Sequence, residues 1–193
     1  VGLIINIVKI IGSVIARIGS KRLTYKNLLP YKGVPLVLNA IRKLIQYEKV
    51  DQVVLSTDSE LIARTCMDEK VSILRRPDSL SKDEIPSIPV FQHIIDFFPC
   101  DLHLNYNCNF PECPDSVFDQ AIDVCLKTGE SLSVPYAVWA QSTQKLKDYG
   151  NPMQITAEKF KVSNLFDLDV HTMEDLLETH RLNQSSLPWE KEN

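Results

Sequence analysis

Residues 10–36 read IIGSVIARIGSKRLTYKNLLPYKGVPL, and this stretch decides the fold. A β-branched apolar run (Ile10 to Ala16) breaks into a loop bearing Gly19, Ser20 and Lys21, then Lys26, Asn27 and Pro35, before an amphipathic helical pattern begins. With a strand, a glycine-bearing basic loop and a helix in this order, α/β proteins turn backbone N–H groups and cations toward phosphate. Charge placement points the same way. The chain carries a formal net charge of -4, yet no Asp or Glu precedes Glu48. Lys9, Arg17, Lys21, Arg22, Lys26, Lys32, Arg42 and Lys43 all fall before it, so residues 1–47 carry about +8 and the remainder about -12. Gly12 and Gly19 are too far apart for a GxxxxGK(S/T) loop, and no GxGxxG occurs. Spacing alone therefore leaves a phosphate site and an ordinary solvated basic turn equally open.

Outward from this stretch, helical and strand patterns alternate. Leu36, Leu38, Ala40, Ile41, Leu44 and Ile45 recur at helical spacing. Asp51–Thr57 is a second strand, and Thr57 with Glu60 predicts a capping box for a helix over about Ser59–Met67. Val71–Leu74 is a third strand. Ser81 with Glu84 repeats the capping signature, while Pro86 and Pro89 confine any helix to about Pro89–Phe98. Leu102–Tyr106 is a fourth strand, Asp115–Lys127 a helix, and Ser131–Val138 a fifth strand. Trp139–Pro152 has no clear pattern, Lys159–Leu168 holds a strand, and Thr172–Leu182 is a helix. Residues 1–7 read as a short extension and 183–193 as a loose tail. The alternation predicts an α/β fold: one doubly wound, mostly parallel sheet with helices on both faces. In such sheets ligands gather beyond the C-terminal strand ends. The Arg17 loop, Asp58, Arg75–Arg76, the Asn105 loop and Asp169 all follow predicted strands and should line one crevice.

Length and composition bound the rest. At 193 residues the chain suits one domain, with ordinary globular contents of 44% hydrophobic and 24% charged residues. Five cysteines, odd in number and without a CxxC pair, fit a reducing, cytoplasmic compartment. Asn6, Lys9 and Arg17 interrupt the apolar start, so no membrane span is expected there. Nucleic acid is not an expected partner, because the cations form one short loop without an aromatic platform. His103, Cys108 and Cys113 lack the paired spacings of structural zinc. His93 and His180 read as packing or solvent-facing residues, and Arg22 and Lys32 as a solvated face.

Four segments carry a resemblance. ARIGSKRLTYKN at 16–27 followed by GVPL at 33–36, VDQVVLSTDSELIA at 50–63, RRPDSLSKDEIPSI at 75–88 and LDVHTMEDL at 168–176 resemble, in the same order, segments of the N-acylneuraminate cytidylyltransferases. The resemblance implies a nucleotide-diphospho-sugar transferase-like domain over 1–182. It also implies a reaction in which the anomeric hydroxyl of an acidic 2-keto sugar attacks the α-phosphate of CTP, with Mg²⁺ assisting (Mn²⁺ as a substitute) and pyrophosphate leaving. Such chemistry needs cations and a metal clamp more than a covalent nucleophile. By the same resemblance Ala16, Arg17, Gly19, Ser20, Lys21, Lys26, Asn27 and Arg76 bind nucleotide, and Asn105 and Ser87 touch the sugar. Arg17, Lys21 and Asp169 are the implied catalytic residues, and Asp169, His171 and Asp167 the implied metal ligands.

Three departures from that family stand out. In the preferred register Asp169 takes the first metal carboxylate position and His171 the second, and imidazole suits Mg²⁺ less well than carboxylate. HLNYNCNFPECPD at 103–115 replaces a glutamine-bearing loop, leaving Asn105 with a shorter amide arm. Residues 139–166 are too few for the family's sugar-contact and dimerisation segment, so a homodimer is a weakened expectation. The rivals are a non-catalytic nucleotide-binding paralogue, a 3-deoxyoctulosonate cytidylyltransferase, and a glycosyltransferase with an Asp-x-Asp metal site.

Overall fold

A computed structural model describes residues 8–19, 22–165 and 168–183. The quoted stretch begins as β1 (Ile10–Ile15), whose side chains alternate between two buried faces. Ile10, Val14 and Ala16 meet the helices on one side, and Ile11 and Ile15 meet those on the other. Beyond the basic loop come a short 3-10 turn (Lys26–Leu28) and a small antiparallel pair, β2 (Pro30–Tyr31) and β3 (Val34–Pro35). Gly33 closes that pair at φ +78°, a left-handed conformation that glycine adopts without steric cost. Next is α1 (Leu36–Gln46), which buries Leu36, Val37, Ala40, Ile41 and Leu44. Gly12 lies beneath it because a Cβ there would meet Val50 Cγ1 at 3.0 Å.

The remaining elements are β4 (Gln52–Thr57), α2 (Glu60–Cys66), β5 (Ser72–Arg75), α3 (Ser87–Phe97), β6 (Leu102–Tyr106), α4 (Asp115–Thr128), β7 (Glu130–Val134), β8 (Val138–Ser142), α5 (Thr143–Lys147), β9 (Glu158–Lys161) and α6 (Met173–Asn183). One seven-stranded sheet runs β5-β4-β1-β6-β8-β7-β9. Only β8 is reversed, pairing antiparallel with both β6 and β7. The doubly wound, mostly parallel sheet expected from the sequence is therefore present. Residues of α1, α2 and α4 share a core with one face, and residues of α3 and α5 cover the other. Burying each large apolar side chain in these layers is worth about 1.5–3 kcal/mol.

Several expectations need correction. The run Ser131–Val138 is not one strand. It ends as β7 at Val134, turns through Pro135 after a cis Val134–Pro135 bond, and returns as β8, which the sequence left unassigned. No helix follows Ser81, and α3 instead starts at Ser87, directly after Pro86. α2 is capped by Ser59, whose hydroxyl accepts from the Ile62 N–H at 3.3 Å, while Thr57 Oγ1 accepts from Ser59 N–H at 3.1 Å. Residues 1–7 and 184–193, covering the expected extension and most of the expected tail, lie outside the described residues. Among the described residues no helix is long and apolar enough to cross a membrane.

Candidate active site

Beyond the C-terminal ends of β1 and β6 lies a cavity of about 440 Å³, lined by Arg17, Gly19, Arg22, Lys26 and Asn27 from the basic loop and by Asn105, Asn107, Cys108 and Asn109 from the loop after β6. Asp83, Tyr136 and His171 complete its polar wall. Its charged lining consists of three cations and one carboxylate, which suits a polyanion. Of the expected residues, Arg17, Gly19, Lys26, Asn27, Asn105 and His171 come together here. Ser20, Lys21 and Asp167 lie outside the described residues.

The loop is shaped by hydrogen bonds to its own backbone. Ala16 is fully buried against the helix layer, its N–H donates to Ser56 O at 3.0 Å, and it does not line the cavity. Ile18 N–H donates to Asp58 Oδ1 at 3.1 Å. Asp58, expected to line the crevice, thus anchors the basic loop from behind. Asn27 Nδ2 donates to the Arg17 carbonyl at 2.9 Å, and Cys108 Sγ donates to Asn27 Oδ1 at 3.2 Å. Asn27 therefore works as a brace between the two loops, with both its amide nitrogen and its amide oxygen in use. Burial pushes the Cys108 thiol up against the opposing pull of Lys26, keeping it a neutral donor. The Arg17 guanidinium is ion-paired with Asp83, a partner 66 residues away that no local pattern announces.

Lys26 and Asn109 join the loops a second time, with Nζ to Oδ1 at 2.5 Å. Burial lowers the Lys26 pKa below its ordinary value, and the nearby Arg22 and Arg17 add to that effect, while Cys108 and Asp169 oppose it. A half-buried ammonium with incomplete compensation favours an arriving anion.

Arg22 is not on a merely solvated face. Its Nη2 donates to His171 Nδ1 at 2.9 Å, and His171 Nε2 lies 2.9 Å from Asp169 Oδ2. Because arginine only donates, Nδ1 must accept and Nε2 must carry the hydrogen toward Asp169. Neither ring nitrogen of His171 then offers a lone pair to a metal, which corrects its expected role as a ligand in this arrangement. Asp169 Oδ1 is different: it is buried without a hydrogen-bond partner among the described residues. Burial raises the Asp169 pKa, with His171, Lys26 and the Asn109 side chain opposing. An orphaned carboxylate oxygen beside a polyanion pocket fits a divalent cation shared with phosphate oxygens. Among the described residues no three His, Cys, Asp or Glu side chains form a metal cluster, so a metal here would draw its other ligands from substrate or water. The segment is fixed by α6: Asp175 Oδ2 accepts from the N–H groups of His171 (2.9 Å) and Thr172 (2.7 Å), a cap at the helix start.

Arg76 and Ser87 line a second cavity of about 160 Å³ that shares Ile15, Arg17 and Asp83 with the first. Arg76 is only 5% exposed, and its Nη2 donates to Ser56 O at 2.8 Å. Burial lowers its pKa to about 10, with Asp58 opposing, so it remains a cation at neutral pH. Its first duty is to tie β5 to β4.

His103, Cys108 and Cys113 do not converge on a metal. His103 is fully buried between Ser13 Oγ (2.8 Å) and Gln141 Oε1 (3.0 Å), and Cys113 Sγ contacts the Pro114 carbonyl. Lys32 pairs with Glu112, and His180 packs on the Tyr31 ring with centroids 4.6 Å apart. Sequence reasoning missed Asp83, Asn107, Asn109 and Tyr136. The turn signal at Pro135 could have flagged Tyr136 as a rim residue.

Comparison with known proteins agrees with this geometry. Residues 11–182 match the family model described as Cytidylyltransferase. An N-acylneuraminate cytidylyltransferase of Streptococcus agalactiae is 34% identical over 83 residues, covering 42% of this chain and 20% of the relative. The Escherichia coli enzyme of the same name is 32% identical over 90 residues, covering 47% and 22%. Each alignment thus spans about a fifth of the relative's length. Among solved structures, a CMP:2-keto-3-deoxy-manno-octonic acid synthetase complexed with CTP superposes with a TM-score of 0.77 at 15% identity, over 93% of this chain and 100% of that one. A Mycobacterium tuberculosis protein in complex with manganese gives 0.63 at 17% identity, over 90% and 98%. At these identities the likeness establishes the shared fold.

Proposed function

We infer function from one premise: this chain belongs to the cytidylyltransferase family. It transfers CMP from CTP to an acidic 2-keto sugar of the acylneuraminate kind. The sugar's anomeric oxygen bonds to the α-phosphorus, the α–β anhydride bond breaks, pyrophosphate leaves, and the hydroxyl proton passes to solvent. The observation that carries this reading is a crevice lined by Arg17, Arg22, Lys26 and His171, with Asp169 held behind His171 and its Oδ1 left without a partner.

Arg17 and Lys26 hold the polyphosphate, with Ser20 and Lys21 as further contacts and Gly19 admitting the chain closely. Each charge-assisted contact is worth roughly 1.5–3 kcal/mol. Asn27 contributes indirectly by fixing the Arg17 carbonyl. Asp169 would hold a divalent ion, Mg²⁺ or Mn²⁺, which supplies Lewis-acid neutralisation of the phosphate oxygens. His171 orients Asp169 by donating to Oδ2 and leaves Oδ1 for the ion. Arg76 and Ser87 border the smaller cavity, where the sugar acid extends.

A second reading, a nucleotide-binding paralogue without turnover, is favoured by His171 standing at a carboxylate position. Pyrophosphate release from CTP, measured with a panel of keto sugar acids of eight and nine carbons in Mg²⁺ or Mn²⁺, separates the two. Turnover with a nine-carbon acid, abolished by Asp169→Asn, supports the transferase. Turnover only with the eight-carbon acid selects the 3-deoxyoctulosonate enzyme. Calorimetric binding of CTP with no pyrophosphate from any acid refutes catalysis and leaves the paralogue.

A further inference from the structure

Beneath the cavity runs a buried chain of polar groups whose direction the backbone dictates. Asn105, on β6, is completely buried. Its Nδ2 lies 3.3 Å from the Ser13 carbonyl oxygen and 3.1 Å from Ser13 Oγ. A carbonyl only accepts, so this contact fixes the amide with its nitrogen toward β1 and its oxygen toward the cavity. That oxygen accepts from the Tyr136 hydroxyl at 2.5 Å. The proton of Tyr136 is therefore committed inward whichever tautomer His103 adopts at the far end of the chain. Burial pushes the phenol up, so Tyr136 stays protonated at neutral pH.

The ring is also held rigidly. The Tyr136 carbonyl accepts from Asn107 Nδ2 at 3.0 Å, and the ring meets Trp139 edge-on with centroids 5.6 Å apart. Trp139 is itself fixed by Glu130 Oε1 at 2.9 Å. The Tyr136 hydroxyl thus donates toward the core and turns its lone pairs away from Asn105. What the phenol can offer a ligand is therefore an acceptor.

We infer that Tyr136 is a specificity-determining residue: its phenol oxygen, with its own hydrogen locked onto Asn105, accepts a hydrogen bond from a hydroxyl of the acidic sugar. This rests on the transferase reading above, and it says which chemical group that site selects. Of the two substrates the polyhydroxylated acid is the richer in donors. The triphosphate group offers only acceptors, and its cations lie on the basic loop; the donors of CTP are its ribose hydroxyls and cytosine amino group, and the CTP arm of the test below separates these from the sugar. A site built to bond a substrate hydroxyl rejects the analogue lacking it more strongly than an apolar pocket rejects an extra group.

The test is Tyr136→Phe, which keeps the ring and its packing on Trp139, assayed against the parent sugar acid and its monodeoxy analogues. In the unaltered protein one analogue should show a KM at least tenfold above the parent's. The variant should show the same rise toward the parent acid, no further rise with that analogue, and a CTP affinity within about twofold of the unaltered protein. An unchanged KM for the parent acid overturns the inference, as does an equal penalty on every analogue, which marks a purely structural role. A tenfold loss of CTP affinity assigns Tyr136 to the nucleotide and also overturns it. If the unaltered protein neither turns over nor binds any keto sugar acid, the transferase reading fails and this inference falls with it.

Discussion

Replacing Asp83 with asparagine should tighten CTP binding. Arg17 enters the cavity already paired with the Asp83 carboxylate, and both side chains are about one-third exposed, at 33% and 35%. A phosphate that takes Arg17 must displace that carboxylate and then sit near it. An ion pair this exposed is worth about 0–1 kcal/mol. Repulsion between a carboxylate and a phosphate charge about 8 Å away, in a water-like dielectric, is about 0.5 kcal/mol per charge. Several charges on the triphosphate bring that to about 1 kcal/mol after salt screening. Together the two effects give about 1–2 kcal/mol, a gain of roughly five- to thirtyfold in affinity. Calorimetric titration of CTP at low and physiological salt measures it, with the advantage of Asp83→Asn shrinking as salt rises. Weaker CTP binding in the variant would refute the reasoning, because it would make Asp83 a ligand-holding group and not a competitor for Arg17.

Arg17→Ala and Lys21→Ala should each weaken CTP binding at least tenfold, and unchanged titration curves for both would end the assignment of the basic loop to phosphate. Because burial lowers the Lys26 pKa, its charge is lost as pH rises through a value below the ordinary 10.5. CTP affinity should therefore fall at alkaline pH, and Lys26→Arg, which stays charged, should flatten that arm of the profile. Burial holds His103 at about 4 against 6.5 in the unfolded chain. The unfolded state then binds the extra proton between those values, so this contribution is complete above pH 6.5 and is lost as pH falls through 4. Its size is about 3 kcal/mol. Urea unfolding at pH 7 and pH 4.5 should show a smaller drop for His103→Gln than for the unaltered protein.

The fold was legible where one physical signal dominated. The apolar run after Lys9 and the run Gln52–Thr57 are central strands buried on both faces, and near-continuous hydrophobicity marks such strands, whereas Leu102–Tyr106 alternates apolar residues with the buried His103 and Asn105. The hairpin of β7 and β8 was not legible, because the apolar character of Trp139–Ala140 continues straight across the turn and only Pro135 interrupts it. The cap at Ser59 was misjudged by two residues because Thr57 and Ser59 both offer hydroxyls, and local geometry decided between them. At the site, the basic loop announced itself through charge. Its partners did not. Asp83 and Asn109 reach the loop across separations of 66 and 83 residues with nothing in their immediate neighbours to give them a role, and His171, 149 residues from Arg22, was marked only as a metal ligand. Arg22 was set aside as solvated for the same reason: its role exists only once α6 brings His171 beside it.

The reversal of β8 has a consequence for how this scaffold can change. In an all-parallel sheet each ligand-facing loop also carries the chain into the next crossover, so altering it disturbs a helix. Here Val138 begins its strand beside Tyr106, at the ligand edge, and a mere three residues (Pro135, Tyr136 and Ala137) separate it from Val134. Swapping that short hinge of chain would retune which second substrate is accepted while the triphosphate cradle, built from other parts of the chain, stays as it is. Diversification of one partner is uncoupled from retention of the other.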